Sequence, residues 1–194
     1  MGALVSKVVL KGFGLPEGVF GRFGGWVMAR GNGAIEKHVV KMARLQGKEH
    51  VMVLGPGPGV GLVAAAERAA IVVGVDPSDT MLLAARHHCG ELVEAGKVQL
   101  IRGDAADTHQ PDHSASVVIS VNNVQLWADR PAAYAEIRRV MKPAARLLVS
   151  VSEKRAPGNL LAELESAGFS NVKVSTWDPP GRRTTAAAIY TADR

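Results

Sequence analysis

Three glycines spaced two apart, Gly55, Gly57 and Gly59, and two later carboxylates, Asp76 and Asp104, are the residues of this chain best suited to holding a ligand. The glycines follow a short apolar run, Val51-Met52-Val53-Leu54, and precede the helical pattern Leu62-Val63-Ala64-Ala65-Ala66. Missing side chains let a ligand approach the backbone closely. The helix aims unpaired N–H groups and a partial positive charge at the same spot. The result is a seat for a nucleotide-like ligand with an anionic end. Asp76 stands 17 residues after Gly59; a carboxylate accepts through two oxygens and donates nothing, which suits paired ribose hydroxyls. Asp104, in Gly103-Asp104-Ala105, suits the amino hydrogens of adenine, with the Ala105 N–H toward the ring. Asn122 and Asn123, with Gln125 and Trp127 close behind, offer amides that orient a polar group without serving as bases.

Spacing narrows the ligand. A dinucleotide fingerprint requires G-x-G-x-x-G, but its third position is Val60 when counted from Gly55 and Leu62 when counted from Gly57. A Walker loop would close on Gly-Lys-Ser/Thr, whereas this turn closes on Gly61-Leu62. His38, His109 and His113 are candidate bases, each more simply a surface histidine. His87, His88 and Cys89 are consecutive, so a helix points them apart. The stretch 107–113 has no metal-ligand spacing. No metal is expected.

The elements that must position these residues follow from periodicity. Apolar runs at 51–54, 71–75, 98–102, 117–121 and 146–151 read as buried strands. Helical patterns separate them, one capped by Ser78 or Asp79, another opening with Pro131 at its first position and running to Lys142-Pro143. Such alternation predicts a parallel doubly wound sheet, whose ligands lie beyond the carboxyl ends of the strands. The tail differs: a helix over 159–167 with Gly168 at its end, then strands 170–176 and 186–191 joined without a helix and therefore antiparallel. Before the first strand, a helix opening at Asn32 or Gly33 carries an apolar stripe of Ile35, Val39, Val40, Met42 and Ala43 and ends at Gly47. Residues 1–50 are expected to form a helical cap over the ligand edge, and 51–194 the ligand-binding domain, as a single folding unit. The stretch 17–46 is glycine-rich and is expected to act as a lid, with Phe20, Phe23, Trp26 and Met28 lining the substrate pocket.

Composition sets the outer bounds. At 194 residues, 47% hydrophobic and 21% charged, the chain is of one-domain size. No apolar run approaches the roughly 20 residues that span a bilayer, and a lone cysteine, Cys89, fits a reducing compartment. A cytoplasmic protein without an integral membrane segment is expected. The formal charge of +5 resides in residues 1–50, which hold eight Lys and Arg against three Glu. No aromatic-interleaved basic stripe accompanies it, so nucleic acid is not expected as a partner.

The motifs V-L-G-P-G-P-G, G-V-D-P-S-D-T-M, R-G-D-A, V-N-N-V-Q-L-W and E-I-R-R-V-M-K-P occur in this order. Together they resemble class I S-adenosylmethionine-dependent methyltransferases of the small-molecule type, the type 11 group related to ubiquinone and menaquinone biosynthesis enzymes. The upstream G-R-F-G-G-W-V-M-A-R-G-N is similar to the leader of one bacterial branch. The resemblance implies a Rossmann-like α/β fold with seven strands in the order 3-2-1-4-5-7-6, the last strand antiparallel. It implies S-adenosylmethionine as cofactor, S-adenosylhomocysteine as product, and a small-molecule methyl acceptor. Gly55, Pro56, Gly57 and Gly59 would pack against the methionyl part. Asp76 and Pro77 would lie at the ribose, Met81, Asp104 and Ala105 at the adenine, with Asn122 completing the cofactor set. Phe23, Trp26, Gln125 and Trp127 would form the substrate pocket, and Asn122, Asn123 and His38 are candidates near the reacting atoms.

The chain departs from the family pattern in three places. Val53 stands where an acid usually helps hold the methionyl ammonium; Ala115-Ser116 replaces Phe-Asp; Ala144-Ala145 replaces Gly-Gly. The first bears on the ligand's amino end, the others on turns and packing. Methyl transfer from a sulfonium asks mainly for alignment of a lone pair with the carbon–sulfur bond. A domain that holds S-adenosylmethionine or S-adenosylhomocysteine without catalysing transfer is the alternative reading.

Overall fold

Apolar residues alternate along the strands between two cores, and that alternation dictates the architecture. The computed structural model describes residues 32–180 and 185–194. In chain order its elements begin with α1 (residues 32–42), β1 (His50–Leu54), α2 (Val60–Ala66), β2 (Ile71–Asp76), α3 (Asp79–His88), α4 (Gly90–Glu94) and β3 (Val98–Arg102). β4 (Ala115–Val121), α5 (Arg130–Val140), β5 (Met141–Ser152), α6 (Leu160–Ser166), β6 (Ser170–Trp177) and β7 (Ala187–Asp193) complete it. Val51 and Val53 of β1, with Val117 and Ile119 of β4, enter one core; Met52, Leu54 and Val118 enter the other. A sheet apolar on both faces needs cover on both. Residues of α1, α2 and α3 join the first core, and residues of α5 and α6 the second.

The seven strands run in the order β3-β2-β1-β4-β5-β7-β6, as expected from the sequence. β1 to β5 pair in parallel, while β7 lies antiparallel between β5 and β6. Carboxyl ends of β1, β2, β3 and β4 therefore converge on one edge, the edge that must carry the site. No helix among the described residues is long and apolar enough to cross a membrane.

Local chemistry explains where boundaries move from expectation. Ser78 caps α3, its Oγ accepting the Met81 N–H at 3.4 Å. Asp129 caps α5 by accepting the Ala132 N–H at 3.0 Å, which makes Pro131 its second residue rather than its first. α5 stops at Val140, short of Lys142-Pro143, because the residue before a proline is pushed out of helical conformation. Met141 is already extended and pairs with Ala115. The chain then shifts register before Arg146 aligns with Val117, so β5 starts five residues earlier than the apolar run alone indicates. α1 ends at residue 42, not at Gly47: Arg44 takes the left-handed conformation at φ 48°, and Gly47 serves a later turn, donating to the Arg68 carbonyl.

Val39 and Ala43 of this segment are wholly buried and Ile35 nearly so, which makes α1 part of the sheet's first core. Val39→Ala should therefore cost roughly 2 kcal/mol of global stability. Urea unfolding would check this; a midpoint unchanged from wild type would mean that α1 rests on the sheet without contributing to its core.

Candidate functional site

The glycine turn begins where β1 stops. Gly55 adopts φ +61°, and a Cβ built there would fall 2.4–2.5 Å from the amide atoms of Asn123. That close approach is used: Asn123 Nδ2 donates within reach of the carbonyls of Leu54 (2.9 Å), Gly55 (3.1 Å) and Val121 (2.9 Å). Gly57, at φ +52°, has no described residue within 4 Å of such a Cβ and lines the cavity. Gly59 caps α2 and packs against the buried Cys89, whose Sγ donates to the Gly59 carbonyl at 3.7 Å.

Beyond this turn lies a cavity of about 890 Å³, surrounded by the carboxyl ends of five parallel strands, Lys154 and Arg155 after β5, and the start of α1. Asp76, the last residue of β2, is only 6% exposed. It accepts the Ser78 N–H at 2.9 Å and the Gly57 N–H, tying the second strand to the glycine turn. Burial pushes its carboxyl up to about 6, against those two donors. Asp104 follows β3 and uses Oδ1 alone to accept the Ala106 and Asp107 N–H groups at 2.7 and 3.0 Å. Glu136 of α5 steadies that loop by accepting the Thr108 N–H (2.9 Å) and hydroxyl (2.5 Å). Arg139 beside it holds the Glu136 carboxyl well below the usual carboxylate range.

The sequence-nominated residues divide clearly. Gly55, Gly57, Asp76, Pro77, Met81, Asp104, Ala105, Asn122, Asn123, Gln125 and Trp127 all line this one cavity. Pro56 and Gly59 face away from it, Pro56 being buried against Gly74. His38 lies off the cavity and stacks on Trp177, with ring centroids 4.3 Å apart. Burial and neighbouring Lys41 lower its pKa. His109 pairs with Asp107, and His113 Nδ1 faces the Met141 carbonyl, both outside the cavity. Phe20, Phe23, Trp26 and Met28 lie outside the described residues. Among the described residues no group of three His, Cys, Asp or Glu is placed to hold a metal.

The amides at the end of β4 are already engaged. Asn122 Nδ2 donates to Asn32 Oδ1 (3.0 Å), and its Oδ1 accepts the Ser152 N–H (2.9 Å). Gln125 Nε2 donates to the Asn122 carbonyl at 2.6 Å, leaving Gln125 Oε1 buried with no hydrogen-bond partner among the described residues. Trp127 serves both as cavity wall and as core, meeting Tyr134 edge to face at 6.0 Å.

Sequence reasoning passed over Glu36. Positions 36 and 40 share one face of α1, so an acid stands on its apolar stripe. Its Oε2 accepts the Gly61 N–H at 2.6 Å, and the residue lines the cavity. Protein encloses the carboxylate except on its cavity side, and this burial pushes its carboxyl up to about 7.

Comparison with known proteins adds a family. The model of the methyltransferase domain family matches residues 52–149. Demethylmenaquinone methyltransferase from Corynebacterium kroppenstedtii is 33% identical over 101 residues, which are 52% of this chain and 41% of that protein. Among solved structures, YcgJ from Bacillus subtilis superposes with a TM-score of 0.72 at 14% identity, over 82% of this chain and 98% of its own. A SAM-dependent methyltransferase from Aquifex aeolicus gives 0.69 at 16% identity, over 85% and 92% respectively. Likeness at such identity speaks to the fold.

The raised pKa of Glu36 has a consequence for stability. A carboxyl that ionises less readily folded than unfolded gives its full stability below the unfolded value, near 4.5, and loses it as pH rises through about 7. Glu36→Gln should therefore match wild type near pH 4.5 and exceed it by roughly 1–2 kcal/mol at pH 8, allowing for water on the cavity side. Thermal melts of both proteins across that range would test it; parallel curves at every pH would contradict the burial of the charge.

Proposed function

Because this chain belongs to the methyltransferase domain family, we propose that it transfers a methyl group from S-adenosylmethionine to a small polar organic acceptor. The observation that carries this reading is the arrangement of Gly57, Asp76 and Asp104 at successive strand ends around a single cavity. The residues present suit the cofactor. Gly57 is an open cradle that a Cβ would fill, Asp76 is a buried acceptor at the neighbouring strand end suited to ribose hydroxyls, and Met81, 3% exposed, shares the cavity wall with Ala105 and offers an apolar surface for adenine. When bound, this cofactor supplies a methyl group already activated on a sulfonium.

What the protein adds is placement. No histidine lines the cavity among the described residues, and the amides of Asn122 and Asn123 are spent on backbone and neighbour contacts. We assign them to holding the wall rather than to moving a proton. Gln125 differs, because its Oε1 has no partner among the described residues and can accept from an N–H or O–H of the acceptor. The residues before β1 are proposed to act as a cap over this edge, with Asn32, Ile35 and Glu36 its described contribution. A function in menaquinone or a related quinone pathway is a narrower proposal, supported by the partial likeness to the Corynebacterium enzyme.

Calorimetry should register one molecule of S-adenosylmethionine or S-adenosylhomocysteine per chain and no nicotinamide dinucleotide. Binding of a dinucleotide with no response to either adenosyl compound would overturn the assignment. Transfer of label from methyl-labelled cofactor into metabolite fractions separates an enzyme from a domain that only holds the cofactor.

Asp76 can be tested by itself with methylthioadenosine, which lacks the amino-acid end. Hydroxyl donation requires the ionised carboxylate, so affinity should fall about tenfold between pH 7.5 and pH 5 as the group, near 6 in the free protein, takes up a proton. Asp76→Asn should bind more weakly by roughly 1.5–3 kcal/mol at pH 7.5, with little dependence on pH. A variant that keeps both the affinity and the pH profile of wild type would reduce Asp76 to a turn residue.

A further inference from the structure

Among the charged groups of the ligand to which the cofactor reading gives no partner is the amino group at its methionyl end. β1 brings no acid there: the residue two places before Gly55 is Val53, buried in the first core. α1 does bring one. Glu36 shares a small void with Val53, Gly55 and Gly61, where α1 crosses the ends of β1 and β4, and it also lines the main cavity beside Gly55 and Gly57. Its Oε2 is held by the Gly61 N–H, and a Cβ at Gly61 would stand 3.2 Å from that oxygen, so the bare backbone there admits the carboxylate. Among the described residues, no hydrogen bond reaches its Oε1 and no Lys, Arg or His pairs with it.

A carboxylate enclosed by protein without a counter-ion is costly, and the cost is offset when a cation arrives. The other acids at this edge are occupied. Asp76 holds the N–H groups of Ser78 and Gly57, Asp104 lies two strands away and holds its own loop, and Asp129 caps α5 through the Ala132 N–H. We propose that Glu36 is the residue that binds the amino group of the cofactor's methionyl end, supplying from α1 the acid that β1 lacks. This assignment rests on the cofactor reading and deepens it by naming an ammonium-bearing ligand for the glycine turn. The contact is a charge-assisted hydrogen bond in a sheltered site, the strong kind.

Three ligands separate the possibilities: S-adenosylhomocysteine, its deamino analogue and methylthioadenosine, titrated by calorimetry at pH 8 into wild type and Glu36→Gln. Wild type should bind S-adenosylhomocysteine at least tenfold more tightly than the deamino analogue. Glu36→Gln should lose at least tenfold for S-adenosylhomocysteine while its affinities for the other two stay within twofold. Wild type that is indifferent to the amino group overturns the proposal without need of the variant. A variant that still favours the amino group, or that weakens all three ligands alike, overturns it as well, the latter making Glu36 a structural support of the turn. Failure of wild type to bind methylthioadenosine or S-adenosylhomocysteine sinks the cofactor reading itself and this proposal with it.

Discussion

The Asn123 amide, placed among the carbonyls of Leu54, Gly55 and Val121, is the contact on which the rest of the site depends. β1 and β4 are neighbours in the sheet, yet the chain leaves them toward opposite faces, into α2 after one and toward α5 after the other. Where two such strands part, a crevice opens and backbone carbonyls lose the partners the ladder gave them. Asn123 supplies those partners, and it fits only because Gly55 has no side chain. Asp76 stitches the turn from the other side through the Gly57 N–H. The glycine turn is therefore a braced piece of backbone, held between β4 and β2.

Bracing of this kind has an electrostatic cost. Glu36 and Asp76 both stand where burial raises their pKa, and neither has a cationic partner among the described residues. By contrast, carboxylates away from the cavity are neutralised in place: Glu163 by Arg130 and Tyr134, Glu136 by Arg139 and Thr108. Acids without an ion-pair partner favour ligands that bring positive charge or hydroxyl donors to their side of the cavity, which Lys154 and Arg155 line as well. A sulfonium, an ammonium and a ribose diol answer that description together.

Most of the fold was legible because its signals are local. The continuous apolar runs of β1 and β4, Ser78 before α3 and the glycine turn all act within a few residues, and the strand order followed from the family resemblance. Boundaries moved where a distant partner decided them, as at β5, whose start is set by Met141 pairing with Ala115 instead of by its own apolar run. The residues nominated at strand ends line one cavity together, since topology alone carries strand ends to one edge. Pro56 and His38 show what topology does not decide, namely the direction in which a side chain leaves the backbone. Glu36 was hidden for a related reason. Its meaning comes from Gly61, 25 residues ahead in the chain, and only its place on an apolar stripe marks it beforehand.

A crystal structure of the full chain grown with S-adenosylhomocysteine tests the central claim most directly, because that claim is a placement. The result expected is one ligand in the 890 Å³ cavity, its ribose hydroxyls on Asp76, its adenine between Met81 and the Asp104-Ala105 turn, and its thioether beside Gly57. A ligand bound elsewhere, or lying in this cavity without a contact to Asp76, would contradict it.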